Sequence, residues 1–156
     1  WECFQAPVAE ADRGDMIGAY RRLLTGDDPA RQLEAARAWS LWEGQTITLL
    51  PDPSIAAAHS DGHFALAFAR IENHYFSHGA WLDDGQLLRD ADRLHGIPGV
   101  IVHGRYDMPC PARYAHALHK AWPESEFHLI EGAGHAWSEP GILDHLIRAT
   151  DRFAKD

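Results

Sequence analysis

The sequence predicts an α/β fold: the C-terminal part of a parallel sheet, with about two strands and flanking helices, preceded by a mostly helical region. Residues 1–85 carry apolar residues at helical spacing, whereas residues 86–156 contain two short strand-like runs separated by a helical stretch. This order is typical of a βαβ unit, whose parallel strands need neighbours on both sides. We therefore expect two regions, 1–85 and 86–156, and further strands outside this chain.

Two helices are predicted in the first half of the helical region. The second begins with Asp28 as its N-cap and Pro29 in its first turn, and it runs to Glu43, where Gly44 is expected to close it in the left-handed conformation. The first is indicated by apolar residues that recur on one helical face, namely Met16, Ile17, Tyr20, Leu23 and Leu24.

Residues 51–60 are expected to form a loop. A third helix is predicted over residues 62–78. Its apolar face is expected to consist of residues spaced by four and three positions, namely Phe64, Phe68, Ile71 and Tyr75.

The second region begins with a predicted strand at residues 97–104, followed by a turn and a helix that ends at Trp122. A second strand is predicted at residues 127–131. The last helix is expected to have Ser138 as its cap, with Pro140 in its first turn. Its buried face would be formed by Ile142, Leu146, Ala149 and Phe153.

Composition excludes several classes of partner. The chain has 14 basic against 23 acidic residues and a formal charge of −9, which disfavours nucleic acid and anionic membrane surfaces. Its apolar stretches fall far short of the about 20 residues that span a bilayer. Two distant cysteines, Cys3 and Cys110, favour a reducing, cytoplasmic setting. The chain begins at Trp1 without a signal segment, so we expect it to be part of a longer protein.

Asp107 and His135 are the candidate catalytic residues. Asp107 follows the first predicted strand and His135 follows the second, within a glycine-containing turn. Reactive groups collect at the carboxyl ends of parallel strands, so both should lie at one edge of the sheet. There the carboxylate could orient the imidazole, which would act as a general base.

A simpler interpretation is that Asp107 stabilises a turn and His135 is an ordinary loop histidine. The nucleophile is also missing, because no Gly-x-Ser-x-Gly motif occurs in residues 1–156. The chain has 11 histidines, but no His-Glu-x-x-His motif accompanies them. We therefore predict neither a metal nor another cofactor.

Several segments in order resemble the proline iminopeptidases, which are prolyl aminopeptidases of the α/β-hydrolase fold. The resemblance covers nearly the whole chain and is carried by residues 69–76, 98–108 and 132–142. It implies that Asp107 and His135 are the acid and base of a Ser-His-Asp triad, and that residues 1–85 belong to the helical cap. It also implies that a missing N-terminal half holds the serine and the oxyanion loop.

The resemblance further implies that Glu43 and Glu72 bind the free amine of the substrate, and that Cys110 lines the pocket for the prolyl ring. Glu72 lies four residues from both Phe68 and Phe76, which places it beside the apolar face. The simpler interpretations are a surface acid paired with Arg70 or His74 for Glu72, an ordinary terminal-turn acid for Glu43 and an inert buried thiol for Cys110.

We therefore expect a fragment of a serine exopeptidase that releases N-terminal proline from peptides, inactive without its nucleophile half. Its partners would be a peptide with a free N-terminal proline and the missing half of the same enzyme. Two alternatives remain open. One is another α/β-hydrolase, of the esterase or epoxide hydrolase type, and the other is a helical interaction module without catalysis.

Overall fold

A computed structural model describes residues 1–154, in which contacts divide the chain into two units. The first unit comprises Trp1–Gln45 and Asp52–Asp83, and the second comprises Thr46–Pro51 together with the chain from Asp84 onward. The predicted α/β class is confirmed, because helices dominate the first unit and a parallel strand pair with flanking helices forms the second. No helix in the described part of the chain is long and apolar enough to cross a membrane.

The helices of the first unit enclose an aromatic core. Tyr20 and Trp39 are almost completely buried, and Phe4 stacks on Tyr20 with ring centroids 4.8 Å apart. The Tyr20 hydroxyl donates a hydrogen bond to the Phe4 carbonyl, and burial raises the pKa of Tyr20 above its ordinary value. The helices are α1 (Glu2–Gln5), α2 (Met16–Thr25), α3 (Pro29–Thr46), α4 (Pro53–Ser60) and α5 (Gly62–Ser77).

Helix α4 occupies the segment for which a loop was predicted, so that prediction is wrong. The Asp52 side chain caps the helix by accepting hydrogen bonds from the amide and hydroxyl of Ser54, at 2.8 and 2.6 Å. These bonds also hold the pKa of Asp52 below its ordinary value. Pro53 then stands at the first helical position, where its fixed φ suits a helix.

The prediction that Gly44 closes α3 is also wrong, because α3 continues to Thr46. Gly44 is buried inside the helix, and its small size serves another purpose. A Cβ atom at this position would lie only 2.7 Å from Cγ of His59 on α4. Glycine therefore permits the two helices to approach each other closely.

Helix α5 matches the predicted buried face only at Phe68, which is partly buried against the core. Phe64, Ile71 and Tyr75 are 42%, 61% and 50% exposed, whereas Ala65, Ala69 and Asn73 are buried. The alanines let α5 approach α2, and Asn73 Nδ2 donates a hydrogen bond to the Ile17 carbonyl at 2.9 Å. Small side chains and a polar contact therefore decide the packing, which the spacing of large apolar residues could not indicate.

The second unit contains a parallel pair of strands. Strand β1 (Gly99–Gly104) pairs with β2 (Ser125–Ile130), with Gly99 beside Ser125 and Gly104 beside Ile130. The register brings the carboxyl ends of both strands to the same edge. The helices are α6 (Gln86–Arg89), α7 (Ala112–Ala121) and α8 (Pro140–Phe153), and both α7 and α8 contact the two strands.

The start of α8 differs by one residue from the prediction. Glu139, and not Ser138, occupies the N-cap position, with Pro140 following it. Ile142 is buried as predicted, whereas Phe153 is 41% exposed. The side chain of Glu139 makes no capping bond within its own helix, because it binds elsewhere in the unit.

Candidate active site

Asp107 lies in the turn between β1 and α7, and its side chain is only 4% exposed. Oδ1 accepts a hydrogen bond from the backbone amide of Cys110 at 2.7 Å. A bond of this kind, from a side chain to the backbone a few residues later, is the reason that Asp is common in turns. It fixes the carboxylate within its own turn and determines the direction of the second oxygen, Oδ2.

His135 lies in the turn between β2 and α8, and its Nδ1 atom is 3.0 Å from Oδ2 of Asp107. Because an ionised carboxylate can only accept, Nδ1 is the donor of this bond. The remaining nitrogen, Nε2, is the one that can take a proton from a nucleophile. The imidazole is 41% exposed, so a reactant can reach it. The structure thus brings the two residues together, and their catalytic role stays a prediction.

The two turns are held together by backbone hydrogen bonds as well as by this pair. The amide of Arg105 donates to the Ile130 carbonyl, and the amide of Tyr106 donates to the Ala133 carbonyl, each at 3.0 Å. These bonds continue the pairing of β1 and β2 beyond the strands themselves. The register of the sheet therefore determines where both turns lie.

A further segment supports the His135 turn. The amides of His135 and Ala136 both donate to the Ile47 carbonyl, at 2.8 Å each. Ile47 belongs to residues 46–51, which are part of the second unit although Thr46 is the last residue of α3. Sequence reasoning missed this support, because a backbone carbonyl leaves no signal in the residue types.

His103 is a second imidazole at the site, and the sequence analysis did not single it out. Its Nε2 atom lies 2.8 Å from the Cys110 carbonyl oxygen and 3.2 Å from Oδ2 of Asp107. Both acceptors require a proton on Nε2, so His103 acts as a donor. The available signal was that His103 directly follows the aliphatic residues 100–102 within the predicted strand. A polar side chain in such a strand needs a hydrogen-bonding partner.

Cys110 contributes both backbone polar groups to this turn, and its side chain also lies near the pair. Ligand atoms of Asp107, Cys110 and His135 all lie within 4.8 Å of one another. These are donor types that zinc accepts. A metal bound there would nevertheless compete with the hydrogen bond that joins His135 to Asp107, so the cluster does not favour metal-dependent catalysis.

An ion pair lies beside the Asp107 turn. Arg105 Nε is 2.6 Å from a carboxylate oxygen of Glu131, and both side chains are well exposed. The hydrogen bond and charge of Glu131 raise the pKa of Arg105 above its ordinary value. The Arg105 charge is thus matched by a neighbouring carboxylate that is not part of the Asp107–His135 pair.

The predicted substrate-binding glutamates belong to the first unit. Glu72, on α5, accepts a hydrogen bond at 2.6 Å from the indole Nε1 of Trp39, which is 2% exposed. This bond holds the Glu72 carboxylate against a buried side chain. Glu43 is half-buried in the last turn of α3. Binding of a substrate amine by either residue stays a prediction.

The chain is similar to proline iminopeptidases from bacteria and a plant, although no protein-family model matches it. It is 53% identical over 154 residues to the proline iminopeptidase of Xylella fastidiosa, a match that covers 98% of this chain and 49% of the relative. The corresponding protein of Xanthomonas citri is 51% identical over 155 residues, with coverage of 99% and 50%.

The proline iminopeptidase of Arabidopsis thaliana is 44% identical over 155 residues, and the match covers 98% of this chain and 41% of the relative. The chain thus spans about half the length of the curated relatives it matches. This coverage is consistent with the expected C-terminal portion. Proline iminopeptidases are α/β-hydrolases, which agrees with the fold class of the second unit.

Proposed function

We propose that this chain, as a part of a protein of the proline iminopeptidase family, supplies the acid and the base of a serine exopeptidase that releases N-terminal proline from peptides. The observation that carries the proposal is the 3.0 Å hydrogen bond between Asp107 and His135 at the carboxyl ends of β1 and β2. The family relationship then selects this reaction among the hydrolyses that such a pair can perform.

In the proposed reaction, Nε2 of His135 takes the proton of a serine hydroxyl while the serine oxygen attacks the prolyl carbonyl. His135 becomes an imidazolium, which the buried carboxylate of Asp107 stabilises. His135 then gives the proton to the leaving amine, and water repeats the two steps on the acyl-enzyme. The serine and the oxyanion donors belong to a part of the enzyme outside this sequence, which lacks a Gly-x-Ser-x-Gly motif.

Glu43 and Glu72 are proposed to bind the protonated imino group of the substrate. An exopeptidase must recognise the chain end, and carboxylates bind a cationic amine by charge-assisted hydrogen bonds. The bond from Trp39 supports this role for Glu72, because it fixes the carboxylate before substrate arrives. Cys110 is proposed to contact the prolyl ring from the same turn that holds Asp107.

The partners in this proposal are a peptide with a free N-terminal proline and the missing half of the same enzyme. The proposed compartment is the cytoplasm, on the sequence argument that the chain has two widely separated cysteines. The 156-residue chain by itself should not hydrolyse proline arylamides, because it lacks the nucleophile motif.

The test uses this chain joined to the upstream half of a proline iminopeptidase, which we call the completed enzyme. It should release proline from a proline arylamide, and the His135→Ala variant should lose this activity while binding the substrate. An enzyme that cleaves only esters or epoxides would support another α/β-hydrolase activity. Full activity of His135→Ala would show that this residue is not the base.

A further inference from the structure

The carboxylate of Glu139 joins two segments of the second unit. Oε1 accepts a hydrogen bond from the amide of Gly134 at 2.8 Å, and Oε2 accepts one from the amide of Leu49 at 3.1 Å. Gly134 directly precedes His135, and Leu49 lies in the segment whose Ile47 carbonyl supports the His135 turn. One side chain therefore connects the histidine turn to its supporting segment.

Together with Ile47, this carboxylate binds three successive amides around the catalytic histidine. Gly134 donates to Glu139, while His135 and Ala136 donate to the Ile47 carbonyl. The amide of Glu139 itself donates to the Ala136 carbonyl at 3.1 Å, which closes the turn at the start of α8. The backbone that carries the imidazole is thus fixed on both sides of His135.

The same segments are packed closely at Gly134. A Cβ atom there would lie 2.9 Å from the Leu49 amide nitrogen and 3.1 Å from the Ile47 carbonyl oxygen. These atoms belong to the backbone, so they cannot move aside as the end of a flexible side chain could. The Glu139 hydrogen bonds therefore join two segments that are already in contact.

Glu139 also stands at the N-cap position of α8, where a negative charge interacts favourably with the helix dipole. Its side chain does not cap α8, and both of its oxygens bind the amides described above. The helix thus anchors the carboxylate, and the carboxylate anchors the histidine turn.

We propose that Glu139 is a positioning residue for His135, which acts by holding the histidine turn against residues 47–49. The proposal rests on the proposed role of His135 as the general base. Proton transfer requires the imidazole to be within hydrogen-bonding distance of both Asp107 and the nucleophile, and misplacement by about 1 Å can cost about 100-fold in rate.

The first test compares Glu139→Gln and Glu139→Ala in the completed enzyme, with Glu131→Gln as the matched control. Glu131 is exposed and pairs with Arg105, so its substitution removes one charge near the site without affecting the histidine turn. We expect Glu139→Ala to lower kcat by about 100-fold with little change in KM. Glutamine keeps one acceptor oxygen and loses one hydrogen bond, so Glu139→Gln should lower kcat by only about tenfold. Glu131→Gln should retain normal kcat.

The second test does not depend on activity and also uses the completed enzyme. A ring N–H that donates to a carboxylate gives a far-downfield proton NMR signal. Both His135 and His103 donate to Oδ2 of Asp107, so the signal that His135→Ala abolishes is the one assigned to His135. We expect Glu139→Ala to broaden or remove this signal under conditions where circular dichroism shows that the chain remains folded. Glu131→Gln should preserve it.

Normal kcat in Glu139→Ala, or an unchanged His135 signal, would overturn the positioning role. A loss of kcat that only parallels a loss of thermal stability, with the signal intact, would show a structural role and would overturn it as well. Failure of the proposed function would look different. Either the parent completed enzyme would not release proline, or His135→Ala would release it at the parent rate, whatever the Glu139 variants do.

Discussion

Nδ1 of His135 lies 3.0 Å from Oδ2 of Asp107, although the two residues are 28 positions apart in sequence. Parallel pairing of β1 with β2 brings their turns to one edge, and the bond from the Cys110 amide to Oδ1 directs the carboxylate. The arrangement holds Nδ1 as a donor and leaves Nε2 for proton transfer. It is the geometry in which a carboxylate stabilises the imidazolium that forms during acyl transfer.

Asp107→Asn tests the orientation of the imidazole. An asparagine can still accept from the Cys110 amide through its oxygen, but its NH2 group cannot accept from Nδ1 of His135. The histidine should then adopt the other tautomer, and kcat of the completed enzyme should fall by about 10⁴-fold. Steady-state kinetics on a proline arylamide measure this loss. A normal kcat would show that Asp107 does not orient the base.

His103→Phe tests the second imidazole at Asp107. The variant removes the donor to the Cys110 carbonyl and to Oδ2 of Asp107, whose side chain is buried. We expect the free energy of unfolding to fall by about 1–3 kcal/mol, as for other lost hydrogen bonds to a charged group. Urea unfolding of the completed enzyme measures it. His103→Gln, which retains a side-chain N–H donor, should be closer to the parent, and equal losses in both variants would argue against a hydrogen-bonding role.

Glu72→Gln tests recognition of the substrate amine. The amide oxygen can still accept from Trp39, so the variant removes the charge while keeping the packing. We expect KM for substrates with a free imino terminus to rise by about 10- to 100-fold, because a charge-assisted hydrogen bond is lost. Hydrolysis of N-blocked proline esters is the control and should not change. Equal losses on both substrates would indicate a folding role.

Gly44→Ala tests the close approach of α3 and α4. The new Cβ would lie 2.7 Å from Cγ of His59. Alanine improves helix propensity by about 1 kcal/mol, but the overlap should outweigh this gain and lower the free energy of unfolding by about 1–2 kcal/mol in total. Gly14→Ala is the matched control, because nothing lies within 4 Å of a Cβ at that position. An increase in stability for Gly44→Ala would contradict the close approach.

The sequence predicts the part of the structure that depends on strand order. Both strands, the helix between them and the meeting of Asp107 with His135 follow from apolar runs, turn residues and the rule that parallel strands share an edge. The aliphatic run before Gly104 identified β1, and the glycines around His135 identified the second turn. These signals are local. The topology of a βαβ unit then places the two turns that follow the strands at the same edge of the sheet.

The predictions that failed depend on tertiary contacts. Helix α4 begins at an Asp52 cap, in a segment that was predicted to be a loop. Helix α5 buries alanines, whereas the apolar pattern favoured burial of Phe64 and Tyr75. Gly44 was predicted to end α3, but it lies inside the helix. The contact with His59 leaves no room for a side chain at this position. The hydrogen bonds of Glu139 join the His135 turn to a segment that is distant in sequence. The spacing of residue types along the chain therefore cannot predict them.

The proposed function requires His135, oriented by Asp107, to act as the general base of a proline-releasing serine peptidase. The most direct measurement is kcat for proline release from a proline arylamide by the completed enzyme, compared with its His135→Ala variant. We expect kcat to fall by about 10⁶-fold because the base of the triad is removed, with substrate still bound. Proline release by His135→Ala at the parent rate would contradict it.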